Sequence, residues 1–390
     1  MTDNRFMANF VLLALVSGLT VGLGKVVTTL FAIELGATAF QIGIISAMES
    51  IGMILVTVPA GFLIARHGAR NIYFASSLGP LAINLLMPLA ASWTALAAAR
   101  WVIGLCIPFR MVAMNGAFLE RLRGSGGARG GWYRGALTAG LSILGPASAG
   151  LLTGAAGVTA GFYIIAALFG VMAVFSLSFL PERETSTPED GHHLLAGLGE
   201  LLRNQVVADS CLVEFISGAT TSLFATFIIL LALELPPLTE ADGINAMLAQ
   251  GVAAVAMLFA GGAFVSRLGR EAAYGLALAL AVAAMLSLGL ATGRAGLLAG
   301  GLLLSASVAV AHLVNVRMLA SLPGAKSKVA GLFNLATMTG GSVGAIGGGL
   351  LTKLVSLQSV FLLWLPFLAA GAVLVALIRR NAPHLALGDL

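Results

Sequence analysis

Long apolar runs follow one another down this 390-residue chain, separated by short polar turns. A run of roughly 18 residues or more is long enough to cross the hydrocarbon core of a bilayer as a helix. Twelve are read, at roughly 8–33, 41–65, 72–92, 94–118, 133–156, 159–180, 207–233, 244–266, 272–291, 296–318, 328–352 and 358–378. They are too long for barrel strands and lack strict alternation. Only 9% of the residues are charged, against about 25% in soluble domains, and 59% are hydrophobic. Folding hides only about three quarters of the surface of a chain this size, so a soluble enzyme is excluded. Disordered chains and disulfide scaffolds are excluded too, since Cys106 and Cys211 cannot form a disulfide framework. The expectation is an all-α membrane protein with twelve transmembrane helices. No cleavable leader is expected, because the first run leads straight into a second span.

Basic residues fix the expected orientation. With the N-terminus inside, fifteen fall in cytoplasmic segments, among them Arg66, Arg70, Arg267, Arg270, Arg379 and Arg380. Only Arg294 and Lys353 fall outside. Both termini are therefore expected in the cytoplasm, with a bacterial inner membrane as the setting. The basic balance reads as loops facing anionic lipid, not as a nucleic-acid footprint.

The longest hydrophilic stretch, 181–206, divides the chain into an N-terminal bundle, 1–180, and a C-terminal bundle, 207–390. Leu194 to Leu202 could lie on the membrane surface as an amphipathic helix. His192 and His193 lie beside Glu189 and Asp190, but adjacent histidines rarely share one ion. A solvated linker is expected there, and no metal.

The two halves resemble each other. Gly61, Arg66 and Gly68 at the end of span 2 match Gly262, Arg267 and Gly269 at the end of span 8, at an offset of 201. Gly145 and Gly150-Leu151-Leu152-Thr153 in span 5 match Gly344 and Gly349-Leu350-Leu351-Thr352 in span 11, at an offset of 199. Two offsets this close argue for a duplicated six-helix unit. Six is even, so both copies have the same orientation in the membrane.

In these features the chain resembles the major facilitator superfamily of transporters over its whole length. Gly61, Arg66, Gly68 and Arg70 match that family's Gly-x-x-x-Asp-Arg-x-Gly-x-Arg loop. Ala65 stands where the family has Asp, and Ser266 stands there in the second half. In the family that carboxylate is thought to lock the halves together, which Ala65 cannot do. Arg100-Trp101-Val102-Ile103-Gly104 resembles the family's Arg-x-x-x-Gly. Gly145-Pro146-Ala147-Ser148-Ala149-Gly150 resembles the Gly-Pro-x-x-x-Gly kink of its proton-coupled antiporter branches. The resemblance implies two six-helix bundles in a 6 + 6 pseudo-repeat. It assigns gating or conformational roles to Gly61, Arg66, Gly68, Arg70, Gly145, Pro146, Gly150, Gly262, Arg267 and Gly269, with Arg66 and Arg70 alternatively topology anchors only, and it links Arg100 to proton transfer. It also makes spans 1, 4, 7 and 10 the lining of a central cavity.

Ionisable groups within the spans are costly, about 2.5–3.5 kcal/mol each on insertion scales, so they are candidate pathway residues. They include Lys25, Glu49, Arg100, Arg110 and Glu214. Lys25 and Glu49 stand equally far from the turn near Gly36, so an ion pair between spans 1 and 2 is expected. It would be either structural or a protonatable switch. Arg110, about 80° around span 4 from Arg100, is expected to contact an anionic or carboxylate-bearing substrate, or else helix carbonyls and buried water. Glu214, Ser217 and Thr221 form a polar stripe on span 7; Ser305, His312 and Asn315 form one on span 10. His312 could couple to protons or be structural.

No nucleotide-binding loop occurs, so energy would come from an ion gradient, most simply protons. The expected function is secondary active transport of a small organic solute by alternating access. The Gly-Pro match favours proton-coupled efflux of an amphipathic or anionic compound. The alternative is proton-coupled import of an anionic metabolite, a siderophore or another metal chelate. A membrane-embedded enzyme would need a metal or nucleophile cluster within the spans, and a receptor would add a larger soluble domain. No cofactor and no nucleic acid are expected. The expected partners are a small-molecule substrate, protons and membrane lipid, with the chain acting as a monomer.

Overall fold

The structure is a computed structural model, and it describes residues 3–122, 135–180, 204–265, 267–321 and 326–380. The expected linker, with His192, His193 and the stretch Leu194 to Leu202, lies outside the described residues, as does Ser266. The regular elements among the described residues are helices. They are α1 (Asp3–Glu34), α2 (Ala39–His67), α3 (Ala69–Leu86), α4 (Trp93–Leu122), α5 (Gly145–Leu177) and α6 (Gln205–Leu233). After them come α7 (Glu240–Val265), α8 (Arg270–Gly289), α9 (Arg294–Ser321), α10 (Lys326–Leu351) and α11 (Leu357–Arg380). Helices satisfy every backbone polar group internally, which lipid demands. Nine stretches among the described residues are long and apolar enough to cross a membrane.

One of those stretches, Gly135–Leu177, is 43 residues long. It enters through a π-helical turn, Gly140–Leu144, and continues as α5. Gly157, with φ +80°, breaks α5 into two arms. Glycine takes this left-handed backbone without a Cβ penalty. The two expected spans 133–156 and 159–180 are thus the two arms of one element. Gly68 has the same role between α2 and α3, with φ +83°. Its N–H caps α2 at the Ile64 carbonyl (2.8 Å), and its own carbonyl accepts from Ile72 N–H. Gly269, its partner in the repeat, has φ −62°. The two loops therefore match in sequence but differ in backbone.

Within the first half α1 packs on α5, α2 on α4, and α3 on both α4 and α5. Within the second, α6 packs on α10, α8 on α9 and α11, and α7 on α9. The closest approaches repeat. Gly18 faces the Leu137 carbonyl, Gly140 faces Leu15, and Gly145 faces Gly22, so a Cβ at any of them would collide with backbone. Gly218, Gly340 and Gly344 lie 199 or 200 residues further on. They face the backbone of Thr337, Phe215 and Ala219 in the same manner. Small residues let helices approach in lipid, where burial of apolar surface supplies no drive between them.

The halves meet through α2 with α10 and through α5 with α7. At the end marked by Gly36, Gly43 lies against Ala345, Gly349 against Phe40, and the Lys353 ammonium stands 3.6 Å over the Phe40 ring. The Gly68 end carries exposed basic residues. A Cβ at Gly61, Gly262 or Gly331 would meet nothing within 4 Å, and Arg66 and Arg267 are exposed.

Candidate functional site

Three polar clusters lie inside the apolar helices. In the first, Arg100 of α4 forms an ion pair with Glu49 of α2, and both are buried. The glycine of Arg100-x-x-x-Gly104 accounts for the register. Gly104 lies against the backbone of Glu49, so α4 and α2 come close enough for Arg100, one turn earlier, to reach the carboxylate. This corrects the expected Lys25–Glu49 pair. Equal distance from a turn sets equal depth, but not direction around the helix. Among the described residues Lys25 has no carboxylate within ion-pair distance. Its side chain is exposed although Gly24 and Val26 on either side are buried. The charged group that acts on its ammonium is the Arg100 guanidinium. On the same helix Gly18 and Gly22 pack against backbone, and Thr29 Oγ1 donates to the Lys25 carbonyl (3.0 Å).

Arg110 forms the second cluster. It is buried inside the first half, where Nη2 lies 3.0 Å from Tyr73 Oη, 3.4 Å from Ser17 Oγ and 3.1 Å from Met172 Sδ. The guanidinium carbon is 4.5 Å from the Phe169 ring centroid and 5.1 Å from that of Tyr73. Aromatic faces attract a cation through their quadrupole, which offsets part of the cost of burial. Its Nε is buried without a hydrogen-bond partner among the described residues. In this conformation Ser17, Tyr73, Met172 and Phe169 surround the Arg110 guanidinium.

Glu214 of α6 is the centre of the third cluster. Its carboxylate accepts from Asn315 Nδ2 (2.8 Å) and Thr337 Oγ1 (3.1 Å), and His312 Nδ1 lies 3.1 Å away. Asn315 and His312 are three residues apart on α9, so both reach the same acid. Tyr274 of α8 donates to Asn315 Oδ1 (2.5 Å), and Asn315 Nδ2 also lies 3.4 Å from the Ser210 carbonyl. The His312 side chain is about one third exposed, whereas Glu214 is buried. The stripes expected on spans 7 and 10 divide. Ser217 faces a separate cavity, and Ser305 donates to the Gln250 carbonyl of α7.

Asp209 is a site residue that periodicity does not reveal. It is buried and accepts from Arg270 (2.5 Å) and Arg379 (2.8 Å), which come from α8 and α11. Both guanidiniums also lie over the Tyr274 ring. The gating candidates scatter. Gly145 and Pro146 are buried, with Gly145 against α1. Gly150 touches Ile244 of the other half, Arg70 is half-buried, and Gly269 is exposed. Among the described residues no group of three or more His, Cys, Asp or Glu could hold a metal ion.

Known structures share this architecture. The nucleoside transporter NupG superposes with a TM-score of 0.81 at 14% identity, covering 98% of this chain and 100% of its own. The human organic anion transporter MFSD10 (TETRAN) gives 0.66 at 18%, covering 96% and 100%. The E. coli fucose:proton symporter FucP gives 0.65 at 17%, covering 98% and 100%. No curated protein matches in sequence. Residues 10–249 match the sequence family described as the Major Facilitator Superfamily. The chain belongs to that superfamily, and it is an integral membrane transporter of a small solute, not an enzyme.

Proposed function

We propose that this chain takes up an anionic small solute together with protons. The observation that carries this reading is Lys25. Glu49 is taken up by Arg100, and Lys25 beside that arginine has no carboxylate within ion-pair distance among the described residues, so one positive charge is left over. An uncompensated cation in a low-dielectric crevice is costly, and a bound anion relieves that cost. Glu214 with His312 supplies a separate proton site in the other half. Export was the reading favoured by Gly145-Pro146, but Gly145 is explained by its contact with Gly22 and carries no information on direction. The FucP likeness, a fucose:proton symporter by name, favours uptake.

In this reading the chain crosses the membrane twelve times in two six-helix halves, 1–180 and 207–390. The twelve are the nine apolar stretches with Gly135–Leu177 counted as two, together with α7 and α10. The glycine contacts repeated at an offset of about 200 support the duplication. The Gly68 end, with Arg66, Arg70 and Arg267, faces the cytoplasm by the positive-inside rule. The described conformation is then open inward and closed at the Phe40–Lys353 end. Gly61, Arg66, Gly68 and Arg70, with Gly262, Arg267 and Gly269, border that open mouth and move apart and together as the halves rock.

The test is uptake into proteoliposomes under an imposed pH gradient, acid outside, with a panel of radiolabelled organic anions and neutral nucleosides or sugars. Anion accumulation driven by the gradient is expected. It should fall at least about tenfold in Lys25→Met, which removes the charge-assisted contact. Glu214→Gln should keep exchange of labelled for unlabelled solute while losing proton-driven accumulation. Accumulation of neutral solutes alone, or anion uptake unchanged in both variants, rejects the reading.

A further inference from the structure

The repeat places a second feature opposite Arg110. Ser17, Tyr73, Arg110 and Phe169 fill the interior of the first half. Their counterparts in the second half are Ser217, Tyr274, Ala311 and Leu368, at offsets of 199–201. Alanine cannot fill the volume of a guanidinium and its stem. The four counterparts line a cavity of about 270 Å3 between α6, α8, α9 and α11. It lies inside the second half, apart from Lys25. An apolar cavity of about 150 Å3 already admits benzene, so this one admits a longer chain.

Two observations say what fills it. The wall toward the bilayer is made of small residues: Gly275 on α8 and Ala376 on α11 are both exposed, and a Cβ at Gly275 would meet nothing within 4 Å. The cavity therefore opens sideways, to acyl chains. At its Gly68 end stand Arg379 and Glu271, with Arg270 and exposed Arg380 beside them. Three guanidiniums face two carboxylates there, Asp209 and Glu271, which leaves a net positive charge at headgroup depth. We propose that this cavity holds one acyl chain of an anionic phospholipid, with its phosphate against Arg379 and Arg380.

Trp364 reports on the site. It is buried, and its indole N–H donates to Thr220 Oγ1 (3.2 Å), which lines the cavity. A variant carrying Trp93→Phe, Trp101→Phe and Trp132→Phe keeps this indole alone. It would be reconstituted in phosphatidylglycerol or phosphatidylcholine with brominated acyl chains, and quenching measured. Stronger quenching by brominated phosphatidylglycerol is expected, with loss of that excess in Arg380→Gln. Filling the cavity deep, by Ala311→Met, or at its mouth, by Gly275→Leu, should abolish the chain-dependent quench. The two fillings act at separate places, so a folding defect in one leaves the other as the test. Quenching that is absent, that survives both fillings, or that is equal for the two lipids overturns the proposal. None of these outcomes depends on solute transport, so the proposal stands or falls separately from the uptake reading.

Discussion

Gly104 lies against the backbone of Glu49, and Arg100, one turn before it on the same helix, closes the ion pair to the Glu49 carboxylate. Both charges are buried, so removing either partner strands the other. Breaking a buried pair from one side costs about 3–5 kcal/mol. Glu49→Ala and Arg100→Ala should each lower the thermal unfolding midpoint in detergent by several degrees. The double swap Glu49→Arg with Arg100→Glu should recover part of the loss, because the coupling belongs to that pair. The swap Lys25→Glu with Glu49→Lys should recover none of it. Recovery in the second swap and not in the first would restore the Lys25–Glu49 pairing.

The glycine itself is open to test. In Gly104→Ala the added methyl group meets backbone, not a side chain that can rotate away. Overpacking of this kind costs roughly 1–3 kcal/mol. The variant should lose stability and, because α2 and α4 are pushed apart, should also weaken the ion pair. In combination with Glu49→Gln its cost should then be less than additive, and a thermal unfolding cycle measures this.

The helices and their order were legible because each is written locally, in apolar run length. The pairing of charges was not. Whether Lys25 or Arg100 meets Glu49 depends on which helix faces are in contact, and Gly104 decides that from outside the turn between α1 and α2. Glu214, His312 and Asn315 were found from their polarity within apolar runs, but Thr337, which completes the shell, comes from a distant helix. Asp209 was missed because its two arginines stand at the ends of helices 61 and 170 residues away. Tyr73 and Tyr274 carried a usable signal. Each stands at the same place in its copy, 201 residues apart, and each holds the polar residue at the centre of its bundle.

Lys353 over Phe40 joins the two halves at the Gly36 end. A cation–π contact contributes about 0.5–2 kcal/mol, which corresponds to roughly a twofold to thirtyfold change in a two-state population. Phe40→Ala should therefore favour the state open at the Gly36 end. In a background with Cys106→Ser and Cys211→Ser, a cysteine introduced by Ser50→Cys should react faster with a membrane-impermeant thiol reagent added on that side. Phe40→Tyr, which keeps the ring, should react at the parent rate. Equal rates in Phe40→Ala and the parent would show that the contact does not hold the end shut.

At that same end the carboxyl of Glu240, at the start of α7, is pushed above the ordinary glutamate range, first by partial burial and then by the Glu34 carboxylate of the first half. The sign follows from linkage. A carboxyl whose pKa is higher when the end is closed binds its proton more tightly in that state, so acid favours closure. The closed form should gain as the pH falls through the glutamate range, and lose as Glu240 ionises beside the Glu34 carboxylate. Thiol labelling at Ser50→Cys, divided at each pH by the reagent's rate with a free thiol in solution so that thiolate titration cancels, should slow toward the acid side as the pH nears the ordinary glutamate pKa of about 4.3. Glu240→Gln should flatten that dependence, since the glutamine stays neutral and has no proton to exchange. A profile as steep in Glu240→Gln as in the parent would assign the pH response to another group.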